Sequence, residues 1–86
     1  MSAIEEIIQS LDAINEKIEG VFRDAGRADS ATDDALAQAA TLGASATIEG
    51  LSRVKEAIRQ LLGQLIVAGD DAKQVMVTAR VVAGST

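Results

Sequence analysis

The chain has 86 residues and a formal net charge of −5 at pH 7, and 48% of its residues are hydrophobic. It contains neither cysteine nor histidine, which excludes disulfides, thiolate catalysis and zinc–thiolate sites and removes the commonest general base. Its acidic balance, with one phenylalanine and no other aromatic residue, argues against a nucleic-acid interface, which needs basic and stacking side chains.

The first predicted element is a helix over about residues 3–41. Ser2 is placed to cap its first amides, and Glu5 follows three residues later, as in a capping box. Apolar residues recur along this segment at alternating steps of three and four, which is the spacing of a heptad seam. The predicted seam of this helix consists of Ile4, Ile7, Leu11, Ile14, Ile18, Val21, Ala25, Ala28, Thr32, Ala35, Ala39 and Leu42.

A turn is predicted over about residues 42–45. The step between equivalent seam positions, from Ala39 to Ala44, is five residues, which a continuous coiled coil does not absorb. Gly43 can adopt the left-handed conformation that ends a helix, and Ser45 can cap the next helix. The chain is therefore expected to reverse direction at this point.

The second predicted helix runs over about residues 46–83. Its seam consists of Ala44, Thr47, Leu51, Val54, Ile58, Leu61, Leu65, Ala68, Ala72, Val75, Ala79 and Val82. The sequence thus predicts an all-α fold in which residues 1–86 form one long antiparallel helical hairpin. Residue i would face residue 87 − i, so that bulky residues of one helix face alanine and glycine of the other, and Phe22 faces Leu65 and Gly69.

Two alternatives stay open at this stage. The segment 24–30, which contains Gly26, could form a loop with Ser30 capping a third helix. The β-branched stretch 75–82 alternates apolar positions and could form a strand. The unbroken heptad phase favours the two-helix hairpin over both.

The apolar stripe on each helix is too broad for one antiparallel pair to cover. Such surfaces usually mark an interface, so the hairpin is expected to pair into a four-helix bundle, as a homodimer or as a heterodimer with a related helical chain. Beside the seam of the first helix, Ile8, Phe22 and Leu36 form an additional apolar row, which Asn15 and Asp29 interrupt. These two polar residues either fix the register or, as preferred here, lie on a solvated flank. The candidate interface residues are Ile8, Ile18, Phe22, Leu36, Ile48, Leu61, Leu62, Ile66, Val67, Met76, Val77 and Val81.

No catalytic, cofactor or metal site is predicted. Ser52 and Lys55 match a Ser-x-x-Lys pattern, but its companion motifs are missing, so the match is attributed to chance. The acidic N-terminus lacks the pattern of a secretory signal, and no apolar stretch approaches the roughly 20 residues of a membrane span. We expect a soluble protein that is cytoplasmic or exported without a cleavable signal peptide.

A short, cysteine-free helical hairpin with a central glycine turn resembles the WXG-type proteins of type VII secretion. Those proteins carry Trp-x-Gly in the turn where this chain has Thr41-Leu42-Gly43, and a C-terminal Tyr-x-x-x-Asp/Glu signal, whereas this chain has no tyrosine. The resemblance is architectural. It implies a dimeric four-helix bundle that is exported together with a larger effector or serves as an adaptor for one. The Ala, Val, Asp and Arg usage is equally compatible with another small actinobacterial helical family.

Three functions follow as expectations. The first is a non-catalytic protein–protein interaction module that self-associates or pairs with a related chain, linked to a secretion or toxin system. The second is a structural protein that assembles into higher-order oligomers. The third is a carrier of a small apolar ligand, and it has the least support in the sequence.

Overall fold

The computed structural model describes residues 2–85, which form two antiparallel helices, α1 (Ala3–Leu42) and α2 (Ser45–Ser85). The predicted all-α hairpin is confirmed, and the helix ends lie within two residues of the predicted ones. Because α1 continues through residues 24–30 and α2 through residues 75–82, the alternatives of a third helix and of a strand are wrong. The hairpin is a rod 65 Å long and 17 by 12 Å across.

Local hydrogen bonds define the start of α1 and the turn. The Ser2 hydroxyl accepts from the Glu5 amide at 3.2 Å, so this residue is the predicted N-cap. Gly43 has φ 67° and its amide donates to the Ala40 carbonyl, as expected for a left-handed residue that ends a helix. Ser45 is the first residue of α2 rather than its cap, because the Ile48 amide donates to the Ala44 carbonyl.

Each helix carries three parallel apolar rows, and the structure uses two of them for the contact between the helices. One is common to the predicted seam, and we call it the shared row: Ile4, Leu11, Ile18, Ala25, Thr32, Ala39, Leu51, Ile58, Leu65, Ala72 and Ala79. The other is the inner row: Ile8, Asn15, Phe22, Asp29, Leu36, Ile48, Lys55, Leu62, Gly69, Met76 and Ala83. All of these side chains are buried or half-buried, apart from Phe22, which is 39% exposed.

Half of the predicted seam is therefore wrong. Apart from Ala44, which lies in the turn, the remaining predicted positions form an outer row: Ile7, Ile14, Val21, Ala28, Ala35, Leu42, Thr47, Val54, Leu61, Ala68, Val75 and Val82. All of them are exposed except Ala35. The physical reason is that the outer and inner rows lie on opposite sides of the shared row at nearly equal angles, so periodicity alone does not say which of them turns inward.

The register agrees with the predicted one. A Cβ placed on Gly69 would lie 3.7 Å from the Ile18 methyl carbon, and the numbers of these two residues sum to 87. At the same register Ala25 faces Leu62, and Ala39 faces Ile48. Small residues on one helix thus accommodate large ones on the other, which permits close approach of the two helices.

The buried core of the described chain is small. It consists of Ala25, Thr32, Ala39, Met76 and Ala79, and no large side chain within residues 2–85 is completely buried. The Thr32 hydroxyl donates to the Ala28 carbonyl at 2.8 Å, which satisfies it inside the contact. In the part of the chain that the structure describes, neither helix has a segment with the length and hydrophobicity needed to cross a membrane.

Candidate interaction face

The two outer rows form one continuous surface, which we call the open face. The two helices of an antiparallel pair are related by a pseudo-twofold axis that is perpendicular to the plane containing both helix axes. Rotation about this axis exchanges the two helices but does not exchange the two faces of the pair. Since the outer row lies on the same side of the shared row in both helices, both outer rows fall on one side of the hairpin. Its large exposed side chains are Ile7, Ile14, Val21, Leu42, Val54, Leu61, Val75 and Val82.

The opposite side of the hairpin carries charge, and we call it the charged face. On this face α1 carries Glu5, Asp12, Glu19 and Asp33, each of which directly follows a shared-row residue in the sequence. The matching row of α2 contains Arg59, Lys73 and Arg80. The two sides of the hairpin therefore differ in kind, since only the open face lacks charged residues along its centre.

A groove on the charged side marks where packing between the helices is incomplete. It has a volume of about 340 Å³, its apolar lining is Ile18, Phe22, Leu65 and Ile66, and Gly69 forms part of its wall. The groove lies where the sequence places Phe22 opposite Leu65 and a glycine, so the missing side chain leaves this space.

We expect Gly69→Ala to stabilise the hairpin by about 1 kcal/mol, because alanine has the higher helix propensity and its methyl group would meet Ile18 at van der Waals distance. The matched control is Gly63→Ala, since a Cβ there meets nothing within 4 Å and reports helix propensity alone. Thermal unfolding followed by circular dichroism measures both variants. A larger gain for Gly63→Ala than for Gly69→Ala would contradict the assigned packing.

A polar cluster of two inner-row residues, Asp29 and Lys55, and one charged-face residue, Asp33, joins the two helices. The Lys55 ammonium contacts the Asp29 carboxylate at 3.1 Å and the Asp33 carboxylate at 2.6 Å. The side chains of Lys55 and Asp29 are only 19% and 20% exposed. The preferred interpretation of Asp29 as a solvated flank residue is therefore wrong, and the alternative, a polar residue that fixes the register, agrees with this contact.

The hydrogen bond to Asp33 is the largest cause of a raised pKa of Lys55, partial burial opposes it, and Asp29 adds to it. Stability from this cluster is thus fully present below the ordinary lysine pKa of 10.5 and is lost as the pH rises through the raised pKa. The chain has no cysteine or tyrosine, the other side chains whose ordinary pKa values lie near this range.

We therefore expect the free energy of unfolding to fall above about pH 10.5 and this fall to be smaller in Lys55→Gln than in the parent chain. Urea unfolding at a series of pH values measures it. Lys73→Gln is the control, because Lys73 is exposed on the charged face. Equal pH profiles for the parent chain and Lys55→Gln would show that the cluster contributes nothing to stability.

The candidate interface residues fall into four groups. Six lie in the contact between α1 and α2: Ile8, Ile18, Leu36, Ile48, Leu62 and Met76. Phe22 borders the groove. Leu61 lies on the open face, whereas Ile66, Val67, Val77 and Val81 are exposed elsewhere on α2. The candidate set is thus spread over different sides of the hairpin.

Sequence reasoning missed most of the open face, because seven of its eight large residues were assigned to the seam alone. The signal that could have found it is composition. The outer row contains no charged residue, whereas the inner row contains Asp29 and Lys55, two opposite charges that lie within one helical turn of each other across the hairpin in the predicted register.

The Ser-x-x-Lys pair forms no nucleophile and base arrangement. The Ser52 hydroxyl donates to the Ile48 carbonyl at 2.8 Å, and the Lys55 ammonium is held by two carboxylates.

Comparison with known proteins adds no assignment, because no family model, curated protein or solved structure matches the chain.

Proposed function

We propose that the chain is a non-catalytic interaction module whose open face pairs with another helical hairpin to complete a four-helix bundle. The observation that carries the proposal is the exposure of eight large apolar side chains along one side of the rod, from 43% at Leu61 to 81% at Leu42. Large contiguous apolar surfaces of this kind mark protein interfaces.

The choice of rows supports the same function. The inner row, which contains Asn15, Asp29 and Lys55, lies in the contact between the helices. The outer row, which contains no charged residue, is exposed. Burying the outer row instead would remove more apolar surface from water in an isolated hairpin. The observed arrangement is therefore favourable when a partner covers the outer row.

The exposed area of the chain also supports a partner. A compact monomer of 8.9 kDa would expose about 4,800 Å². This chain exposes 6023 Å², which is roughly 1,200 Å² more than that relation gives. The excess is larger than the ~800 Å² that each partner buries in a standard interface.

Light scattering after size exclusion, combined with circular dichroism over a concentration series, tests the proposal. A strongly helical dimer supports pairing through self-association. A poorly helical monomer indicates that the partner is a different, related chain, which a pull-down with the immobilised hairpin would then identify. A fully helical monomer that stays stable on dilution would contradict the proposal.

A second candidate is a structural protein that assembles further through α2. Ile66, Val67, Val77 and Val81 lie outside the open face and are 53–64% exposed, so they offer additional apolar contacts. Concentration-dependent particles in electron micrographs would favour this function, and a single sharp dimer would count against it. The link to a secretion or toxin system rests on the resemblance to WXG-type hairpins and stays a prediction.

A further inference from the structure

We propose that a second copy of the chain covers the open face with its turn at the same end, so that each α1 lies against α2 of the other copy. This inference rests on the proposed function and adds to it the identity and orientation of the partner. A face measuring 65 by 17 Å offers on the order of 1,000 Å² per copy, which is enough for a stable dimer.

The distribution of charge along the chain favours this orientation. Residues 1–42 hold nine acidic and three basic residues, whereas residues 43–86 hold four acidic and five basic residues. Two hairpins packed with their turns at opposite ends would place α1 against α1, which brings two strongly acidic helices together. With the turns at the same end, each acidic helix lies against the nearly neutral α2 of the other copy.

The edges of the open face give the same answer residue by residue. Each helix has an edge row just outside its outer row, and these two edge rows contain three charged residues, Lys17 and Asp24 on α1 and Asp71 on α2. Within one hairpin Lys17 and Asp71 lie on opposite edges. In the proposed dimer, Lys17 of one copy lies at the level of Asp71 of the other copy, and the symmetry creates this contact twice.

The opposite orientation lacks this complementarity. It would place α1 of both copies antiparallel along one edge, with the two Asp24 residues close to the symmetry axis and to each other. Asp24 already contacts Arg27 within its own helix at 3.7 Å. Lys17 and Asp71 would then lie on different edges of the dimer, so this pair would not form.

The outer rows also fit in the proposed orientation. In this orientation each α1 lies beside two α2 helices, one from its own hairpin and one from the other copy. At a given height along the bundle, an outer-row residue of α1 therefore meets the same α2 residue twice. Ala28 then lies between two copies of Leu61, and Val21 lies between two copies of Ala68. At these two levels large and small side chains thus alternate around the bundle, as close packing requires, whereas Ile7 and Ile14 meet the larger Val82 and Val75.

A charge-reversal cycle tests the contact. We expect Lys17→Asp and Asp71→Lys each to weaken the dimer by about three- to thirtyfold, because each reversal affects two exposed pairs. The double variant should recover the parent dissociation constant, measured by sedimentation over a concentration series. Weakening in the double variant that equals the sum of the two single variants would overturn the proposed orientation.

A distance measurement provides the second test. The cysteine-free chain accepts a single spin label at Ala46→Cys, an exposed position beside the turn. With the turns together, the two labels should lie about 20–35 Å apart, given interaxial distances of 8–10 Å. A dimer with the labels roughly 60 Å apart overturns the orientation while self-association stands. A chain that stays monomeric at every concentration overturns self-association and orientation together.

Discussion

Leu61→Asp is expected to abolish assembly. Leu61 occupies the middle of the outer row of α2, and 43% of its surface is exposed in the hairpin and would be covered by a partner. An aspartate there would place an unpaired carboxylate in the bundle interior, and a symmetric dimer would contain it twice. We expect the dissociation constant to rise at least about a hundredfold, since the lost burial of two leucine surfaces costs roughly 1.3–2.6 kcal/mol and the two desolvated carboxylates add to that cost.

Two neighbouring substitutions make this experiment specific. Val67→Asp introduces the same charge at a side chain that is 60% exposed outside the open face, so the dimer should persist. Leu62→Asp changes a half-buried inner-row residue and should unfold the hairpin itself. Light scattering and circular dichroism separate the two effects. A Leu61→Asp chain that associates as tightly as the parent would refute the assignment of the open face.

Met76→Ala is expected to cost about 2–4 kcal/mol of unfolding free energy, because it removes several buried carbon and sulfur atoms from a core with few alternatives. Met76 is 4% exposed and is the largest side chain among the buried residues. The matched control is the adjacent Val77→Ala, which changes a side chain that is 54% exposed and should cost less than about 0.5 kcal/mol.

Urea unfolding at one fixed chain concentration measures both variants. Met76→Leu keeps the volume and should retain most of the stability, which would show that packing rather than sulfur chemistry matters here. Equal losses for Met76→Ala and Val77→Ala would mean that α2 is rotated relative to the arrangement described above.

The sequence was sufficient to predict the hairpin, the turn and the register, because each depends on a local or additive signal. The phase change of the apolar pattern and the left-handed preference of Gly43 place the turn. Heptad spacing keeps both helices in step over their full length, and the pairing of Ile18 with Gly69 confirms the register.

The choice between the outer and inner rows could not be predicted from either helix alone. Both rows are largely apolar, and Asp29 and Lys55 each look like solvated flank residues when their own helix is considered separately. Only across the hairpin do they neutralise each other. The open face was therefore assigned to the core, and half of the candidate interface was placed on residues that the hairpin itself covers.

The presence of three apolar rows has a consequence for the chain in isolation. Each helix could rotate about its own axis by roughly 50°, which is the angle between the shared row and either of its neighbouring rows. This rotation would bring the outer row into the contact between the helices and expose the inner row. The same rotation would break the contact between Lys55 and Asp29 and would bury Leu61 and Val75 in exchange. We therefore expect the uncovered hairpin to have two competing packings, of which a second chain selects one, so that assembly also determines the tertiary structure of each subunit.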